Sequence, residues 1–215
     1  FTPNLTSDLI VKAALNHIKS SLNILELGCG SGYIGIKIAM ESNYTINLSA
    51  SDIDSKALKT AKINYLENQI KCNLKLSNCL DSWDNNVFDL IVCDISAIDE
   101  SIADITPWYN IAPCKSGEGG FNLINDVISK SPNFLKEDGM FIFPVLSLSN
   151  WENIISFSKN HFKKVEKLLF TEWPLQENEI LNKDFLFEQK KAGLIDFEEK
   201  FGKIICWTAI FVGVK

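Results

Sequence analysis

The sequence predicts an α/β protein built on a doubly wound, seven-stranded, mostly parallel sheet whose last strand runs antiparallel. Three observations predict it. Short apolar runs alternate with stretches whose apolar residues recur at helical spacing. The first run leaves directly into a turn with glycine at every second position. The sixth and last apolar runs are separated by a long insertion, after which the chain returns as a final strand.

Taken in order, Thr6 or Ser7 can cap a helix in which Leu9, Ile10, Ala13, Ala14 and Ile18 fall on one face. Residues 23–27 form the first strand and 34–41 the helix beyond the glycine turn. A strand at 46–51 precedes a helix at 55–68 carrying Ala57, Leu58, Ala61 and Leu66. Strands follow at 74–77 and 88–93, then a loop-rich stretch, a helix at 122–135 and a strand at 140–145. A helix at 151–160 leads to a strand at 165–170, and 204–214 closes the chain, inserting antiparallel beside strand six. No repeat or linker divides the chain, so 1–215 reads as one domain: an N-terminal helix (1–22), a ligand-binding core (23–149) and C-terminal strands (150–215). The insertion at about 173–203 reads equally as a lid, a dimer contact or a solvated excursion.

Composition narrows the function classes. At 215 residues and 46% hydrophobic content, the chain can bury a core without disulfides or metals. Its six cysteines show no C-x-x-C spacing and are expected to be free thiols; no metal-ligand cluster is visible. No apolar run approaches the roughly 20 residues that span a bilayer and no leader pattern opens the sequence, so a cytoplasmic protein with no membrane partner is expected. The first residue is Phe1, which leaves a preceding segment open. Net charge is −6 and all 21 basic residues are Lys, so the bidentate arginine contacts that favour nucleic acid are absent. A protein or small-molecule partner is expected over nucleic acid.

The chemistry concentrates at Glu26-Leu27-Gly28-Cys29-Gly30-Ser31-Gly32. Positions without side chains permit a tight turn and let a ligand lie against the backbone, at the strand's carboxyl end where open α/β sheets bind ligands. The G-x-G-x-G spacing is shorter than the dinucleotide fingerprint. A carboxylate at Glu26 would repel a pyrophosphate, whereas S-adenosylmethionine has no phosphate and carries a cationic tail. S-adenosylmethionine is therefore the expected cofactor over NAD. Asp52, at the end of the second strand, can accept both ribose hydroxyls, and Ile53 can cover one face of adenine. As a helix cap, Asp54 or Ser55 suits better than Asp52.

Together, E-L-G-C-G-S-G, S-D-I-D-x-x-A-L-x-x-A-x-x-N and F-D-L-I-V resemble the class I methyltransferases, a Rossmann-like fold, and more narrowly the release-factor glutamine methyltransferase and small-domain group. The resemblance runs from about Thr2, where Thr2-Pro3-Asn4-Leu5-Thr6-Ser7-Asp8 is similar to that group's P-R-P-E-T-E segment, to about Ser149. It implies that Glu26, Gly28, Cys29, Gly30 and Gly32 line the methionine end, that Asp52 holds the ribose, and that Asn78 and Cys79 lie by the adenine. The acceptor motif departs from the family. Relatives that methylate amide or adenine nitrogens end the fourth strand in N-P-P-Y, holding a planar NH₂; here Cys93 leads into Asp94-Ile95-Ser96-Ala97.

Asp94 is the candidate catalytic residue, able to accept from an attacking amine or take a hydroxyl proton, or else a turn cap. Ser96, Trp108, Tyr109 and Cys114 are candidate substrate contacts; Trp108 and Tyr109 can stack on a planar substrate or pack the loop down. Ala112-Pro113-Cys114-Lys115-Ser116-Gly117 is similar to the A-P-C-S-G nucleophile of cytosine-C5 methyltransferases, but about 20 residues separate Cys114 from the fourth strand. Gly119-Gly120 and Asn122-Leu123-Ile124 resemble the G-G-x-D-G-L segment that opens the next helix. His17 and His161 read as surface histidines. The expectation is methyl transfer from S-adenosylmethionine to a protein or small-molecule acceptor; the alternatives are a cofactor-binding module without transfer, or cytosine-C5-type transfer using Cys114.

Overall fold

Asn4, not Thr6 or Ser7, caps the first helix α1 (Leu5–His17): its side chain accepts from the backbone N–H groups of Thr6 and Ser7. The cap sits earlier than expected because extended backbone at Asn4 already supplies the oxygen, which leaves the Ser7 hydroxyl for another partner. The computed structural model describes residues 4–85, 87–106, 108, 114–176 and 182–215.

From α1 the chain enters β1 (Leu22–Leu27), whose last four residues are buried, and passes through the glycine turn into α2 (Tyr33–Glu41). It continues through β2 (Ile46–Asp52), α3 (Ser55–Glu67), β3 (Cys72–Leu76), β4 (Phe88–Cys93) and a short α4 (Glu100–Asp104). Then come α5 (Asn122–Lys130), β5 (Leu135–Leu146), α6 (Trp151–Lys159) and β6 (Lys164–Pro174). The insertion supplies α7 (Lys183–Lys191) and a three-residue strand β7 (Glu198–Lys200) before β8 (Lys203–Val214).

The sheet order is β3-β2-β1-β4-β5-β8-β6, with β7 paired to β8. The first five strands run parallel, and β8 lies antiparallel between β5 and β6. The last long strand thus pairs with strand six as expected, but on its inner side. The eighth strand is the addition: β7 folds back on β8 through Phe201 and Gly202, both at positive φ. The expected helix at 122–135 is shorter, because Pro132 has no N–H to continue it, and β5 begins correspondingly early.

Apolar residues sort onto two faces. Ile10, Ala14, Ile38, Ala61 and Tyr65 cover one face with α1, α2 and α3; Ile124, Val127, Ile128 and Ile154 cover the other with α5 and α6. A third cluster (Ile98, Ile102, Leu148, Leu186, Ile195, Phe197, Cys206) joins the insertion to α4 and to the chain after β4. The insertion is therefore packed, and the reading of it as a solvated excursion is corrected; Phe197, 1% exposed, is one of its core residues. Among the described residues no helix is long and apolar enough to cross a membrane.

Candidate functional site

Strand order reverses between β1 and β4, which leaves a crevice at their carboxyl ends. The glycine turn stands on its rim. Gly28 and Cys29 donate backbone N–H bonds to the Ser51 carbonyl, both at 3.0 Å, tying the turn to β2. Gly28, Gly30 and Gly32 have φ of 72°, 53° and 81°, and a Cβ at Gly28 would stand 2.8 Å from the Asp94 carbonyl oxygen. Glycine is required there by conformation and by contact. The Cys29 side chain is buried in the core, and burial pushes its thiol up, so only its backbone faces the turn.

Glu26 is 1% exposed. Its Oε2 accepts from the Gly35 N–H at 3.1 Å and from the Tyr65 hydroxyl at 3.0 Å, substituting for the side-chain cap that α2 lacks. Oε1 has no partner among the described residues. Burial pushes Glu26 up to about 8, with Asp94 and Asp52 adding to the shift against the Tyr65 and Gly35 bonds. The side chain is thus largely neutral at pH 7. The repulsion of a pyrophosphate that the sequence assigned to Glu26 falls instead to the other two carboxylates.

Asp52 holds the turn from β2: Oδ2 accepts from Gly30 N–H at 2.8 Å, and Oδ1 from Asp54 N–H at 2.9 Å. Asp54 caps α3 in its place. Ile53 is 63% exposed beside it. Ser77, which donates its N–H to the Asp52 carbonyl, leads into exposed Asn78 and into Cys79, a half-buried residue at φ 47° whose thiol burial pushes up to about 11. The structure therefore brings Glu26, the glycines, Asp52, Ile53, Asn78 and Cys79 to one rim.

Across the crevice, Asp94 leaves β4 with its N–H bonded to the Leu27 carbonyl at 3.0 Å. Its Oδ2 accepts from the Ser7 hydroxyl at 2.8 Å, and burial pushes the carboxyl up to about 6 against that bond. Ser7 is fully buried. Sequence reasoning gave it a role in capping and a place in the segment similar to P-R-P-E-T-E; its polarity on the buried side of an otherwise apolar helix face was the signal for more. Asp8 beside it accepts from the Tyr33 hydroxyl at 2.5 Å, so the first turn of α1 is anchored to α2 as well as to β4.

The remaining candidates separate. Cys114 lies beside Ser96 and Ser116, with Sγ 2.9 Å from Ser116 Oγ, and Ser116 donates to the Ile98 carbonyl at 2.5 Å. Cys114 therefore lies near the chain that follows β4 despite the intervening residues. Burial pushes the thiol up, chiefly against bonds to Ser116, which disfavours the thiolate a nucleophile needs. Trp108 packs edge-on against Trp173 of β6 at 5.9 Å. Of the two expectations for Trp108, this contact fits the one in which it packs the loop down. Tyr109 and Pro113, like Thr2 and Pro3, lie outside the described residues. His17 and His161 each bond a carbonyl one helical turn back, at 2.9 Å, away from the crevice.

Asp99 holds together the loops beyond β4 and β5. It is 1% exposed, caps α4 through Ser101 N–H at 2.9 Å, accepts from Gly119 N–H at 2.5 Å, and donates its own N–H to the Leu148 carbonyl at 2.8 Å. Gly120 (φ 67°) is pressed so close that a Cβ would stand 2.7 Å from the Asp99 nitrogen.

Residues 5–94, from α1 through Asp94, match the family described as methyltransferase small domain. A release factor glutamine methyltransferase from Pasteurella multocida is 30% identical over 138 residues, 59% of this chain and 46% of that protein. A ribosomal protein L11 methylase from Lactobacillus delbrueckii superposes with a TM-score of 0.62 at 18% identity, over 98% of this chain and 79% of that one. This chain has the class I methyltransferase fold. A 16S rRNA methyltransferase from T. thermophilus, solved in complex with AdoMet and guanosine, also superposes, with a TM-score of 0.62 at 12% identity over 100% of this chain and 44% of that one. The chain spans less than half the length of the curated relatives it matches.

A class I methyltransferase fold implies S-adenosylmethionine, and the residues present fit it. Glu26, Asp52 and Asp94 converge about the glycine turn, and the two aspartates make a surrounding suited to a sulfonium and an ammonium and hostile to a pyrophosphate. Glu26 keeps an unpartnered oxygen, and the positive-φ turn is a cradle that any Cβ at Gly28 would fill.

Proposed function

We propose that this chain transfers a methyl group from S-adenosylmethionine to an acceptor that is a protein or a small molecule. The observation that carries this reading is the convergence of Glu26, Asp52 and Asp94 on the glycine turn, at the crevice where strand order reverses. The names of the relatives that act on release factor and on L11 support a protein acceptor, and the absence of arginine from this chain weighs against nucleic acid.

When bound, S-adenosylmethionine supplies an electrophilic methyl on a cationic sulfur. The chain does the rest. Asp52 takes the ribose hydroxyls with the lone pairs its two backbone bonds leave free, and Glu26 Oε1 takes the ammonium. Ile53 covers adenine, and the Asn78 carboxamide meets its amino group. Asp94 faces the acceptor and receives its proton. Positioning and exclusion of water by the packed acceptor side supply most of the acceleration.

Isothermal titration with S-adenosylmethionine, S-adenosylhomocysteine and NAD tests the reading. Micromolar binding of the first two with none of NAD is expected; absence of binding by either adenosyl compound overturns it, because the glycine turn is then purely structural.

A further inference from the structure

We infer that Ser7 is a positioning residue of the acceptor site: it fixes Asp94 Oδ2 and thereby presents Oδ1 to the proton-bearing atom of the acceptor. The inference rests on the methyl-transfer reading above and extends it to a helix that the cofactor signature does not include.

The geometry is specific. Ser7 and Asp94 are 87 residues apart, and the Ser7 hydroxyl donates to Asp94 Oδ2 at 2.8 Å. A fully buried hydroxyl on an otherwise apolar helix face needs a partner, and it finds one in the carboxylate at the carboxyl end of β4. Since Asn4 already caps α1, Ser7 is not needed to start the helix. The second anchor, Tyr33 to Asp8, holds the same helical turn from α2, so the Ser7 hydroxyl reaches Asp94 from a fixed frame. Oδ1 is left without a partner among the described residues.

A carboxylate with one oxygen tied down has a defined direction for the other. Oδ1 takes the acceptor's proton, the carboxylate becomes a carboxylic acid, and the proton returns to solvent. The titratable groups about Asp94 are the Glu26 carboxyl on β1 and the Cys93 thiol on its own strand, while Asp8 on α1 is turned to Tyr33. None is cationic, so the Ser7 hydroxyl is the group that favours the ionised carboxylate.

The test follows the Asp94 carboxyl carbon by ¹³C NMR as pH is varied, in the wild type, Ser7→Ala and Ser7→Thr. Loss of the hydroxyl should raise the Asp94 midpoint by about 0.5–1 pH unit, and threonine, which keeps the hydroxyl, should restore it. An unmoved midpoint in Ser7→Ala overturns the inference, and so does a threonine variant that folds, by circular dichroism, yet titrates like alanine. A separate arm saturates the wild type with S-adenosylmethionine or with S-adenosylhomocysteine, which differ by the methyl and its positive charge. If Asp94 faces the methyl, its midpoint falls further with the charged compound. Equal midpoints overturn the placement of Asp94 at the methyl, whatever Ser7 does, and so separate failure of the function from failure of the inference.

Discussion

The two halves of the sheet are built on different principles. On the β3-β2-β1 side, the proposed cofactor rim is made of compact motifs: a glycine turn, a strand-end aspartate and a capped helix, each a few residues long, with the turn and the aspartate joined by the Gly30–Asp52 bond. On the β4-β5-β8-β6 side, the proposed acceptor rim is built from loops, with Asp99 tying Gly119 and Leu148 together and the α7 and β7–β8 insertion packed over them. A ligand shared across a family can be met by a compact local signature, whereas an acceptor particular to one chain is met by loops that must be stabilised one by one.

The largest expected effect breaks the acceptor half. Phe197→Ala removes a fully buried ring that packs edge-on against Phe187, and should lower stability by about 3–4 kcal/mol in urea denaturation; a loss below about 1 kcal/mol would show that the insertion is not part of the core. Next comes Gly120→Ala, which combines a left-handed backbone with a collision against Asp99 and should cost about 2–3 kcal/mol. Cofactor affinity per folded molecule should change little in either variant, which is what distinguishes the halves.

Asp52→Ala reverses the pattern: S-adenosylmethionine affinity should fall by about 1.5–3 kcal/mol, read by calorimetry. Unchanged affinity would remove Asp52 from the ribose. The smallest effect sharpens the contrast through pH. Glu26 titrates at about 8 when folded against 4.5 as its ordinary value, so folding takes up a proton between those limits. Its contribution to stability is complete below pH 4.5 and is lost as pH rises through about 8. Glu26→Gln, whose carbonyl oxygen can still accept both bonds, should therefore lose less stability than the wild type between pH 6 and pH 9; parallel urea midpoints across that range would mean Glu26 is already ionised.

The difference between the halves is also the difference in what could be read from the chain. The G-x-G-x-G turn, Asp52 and the alternation of strands and helices were legible because turn conformation, strand ends and periodicity are local properties. Ser7 was not, because a serine near a helix start has a local explanation in capping, and only the fold shows that Asn4 takes that role. Likewise the burial of Glu26, the placement of Trp108 on Trp173 and the approach of Cys114 to Ser96 depend on which distant segments meet.

By itself, then, the amino-acid sequence determined the doubly wound sheet, the antiparallel last strand and the glycine turn after β1, since each follows from spacing and backbone preference within one or two elements. The tertiary structure alone decided the partner of Asp94, the burial that pushes Glu26 up and the packing of the insertion as a third core. Burial and contacts between residues far apart in the chain set those properties, and neither is encoded in any local pattern.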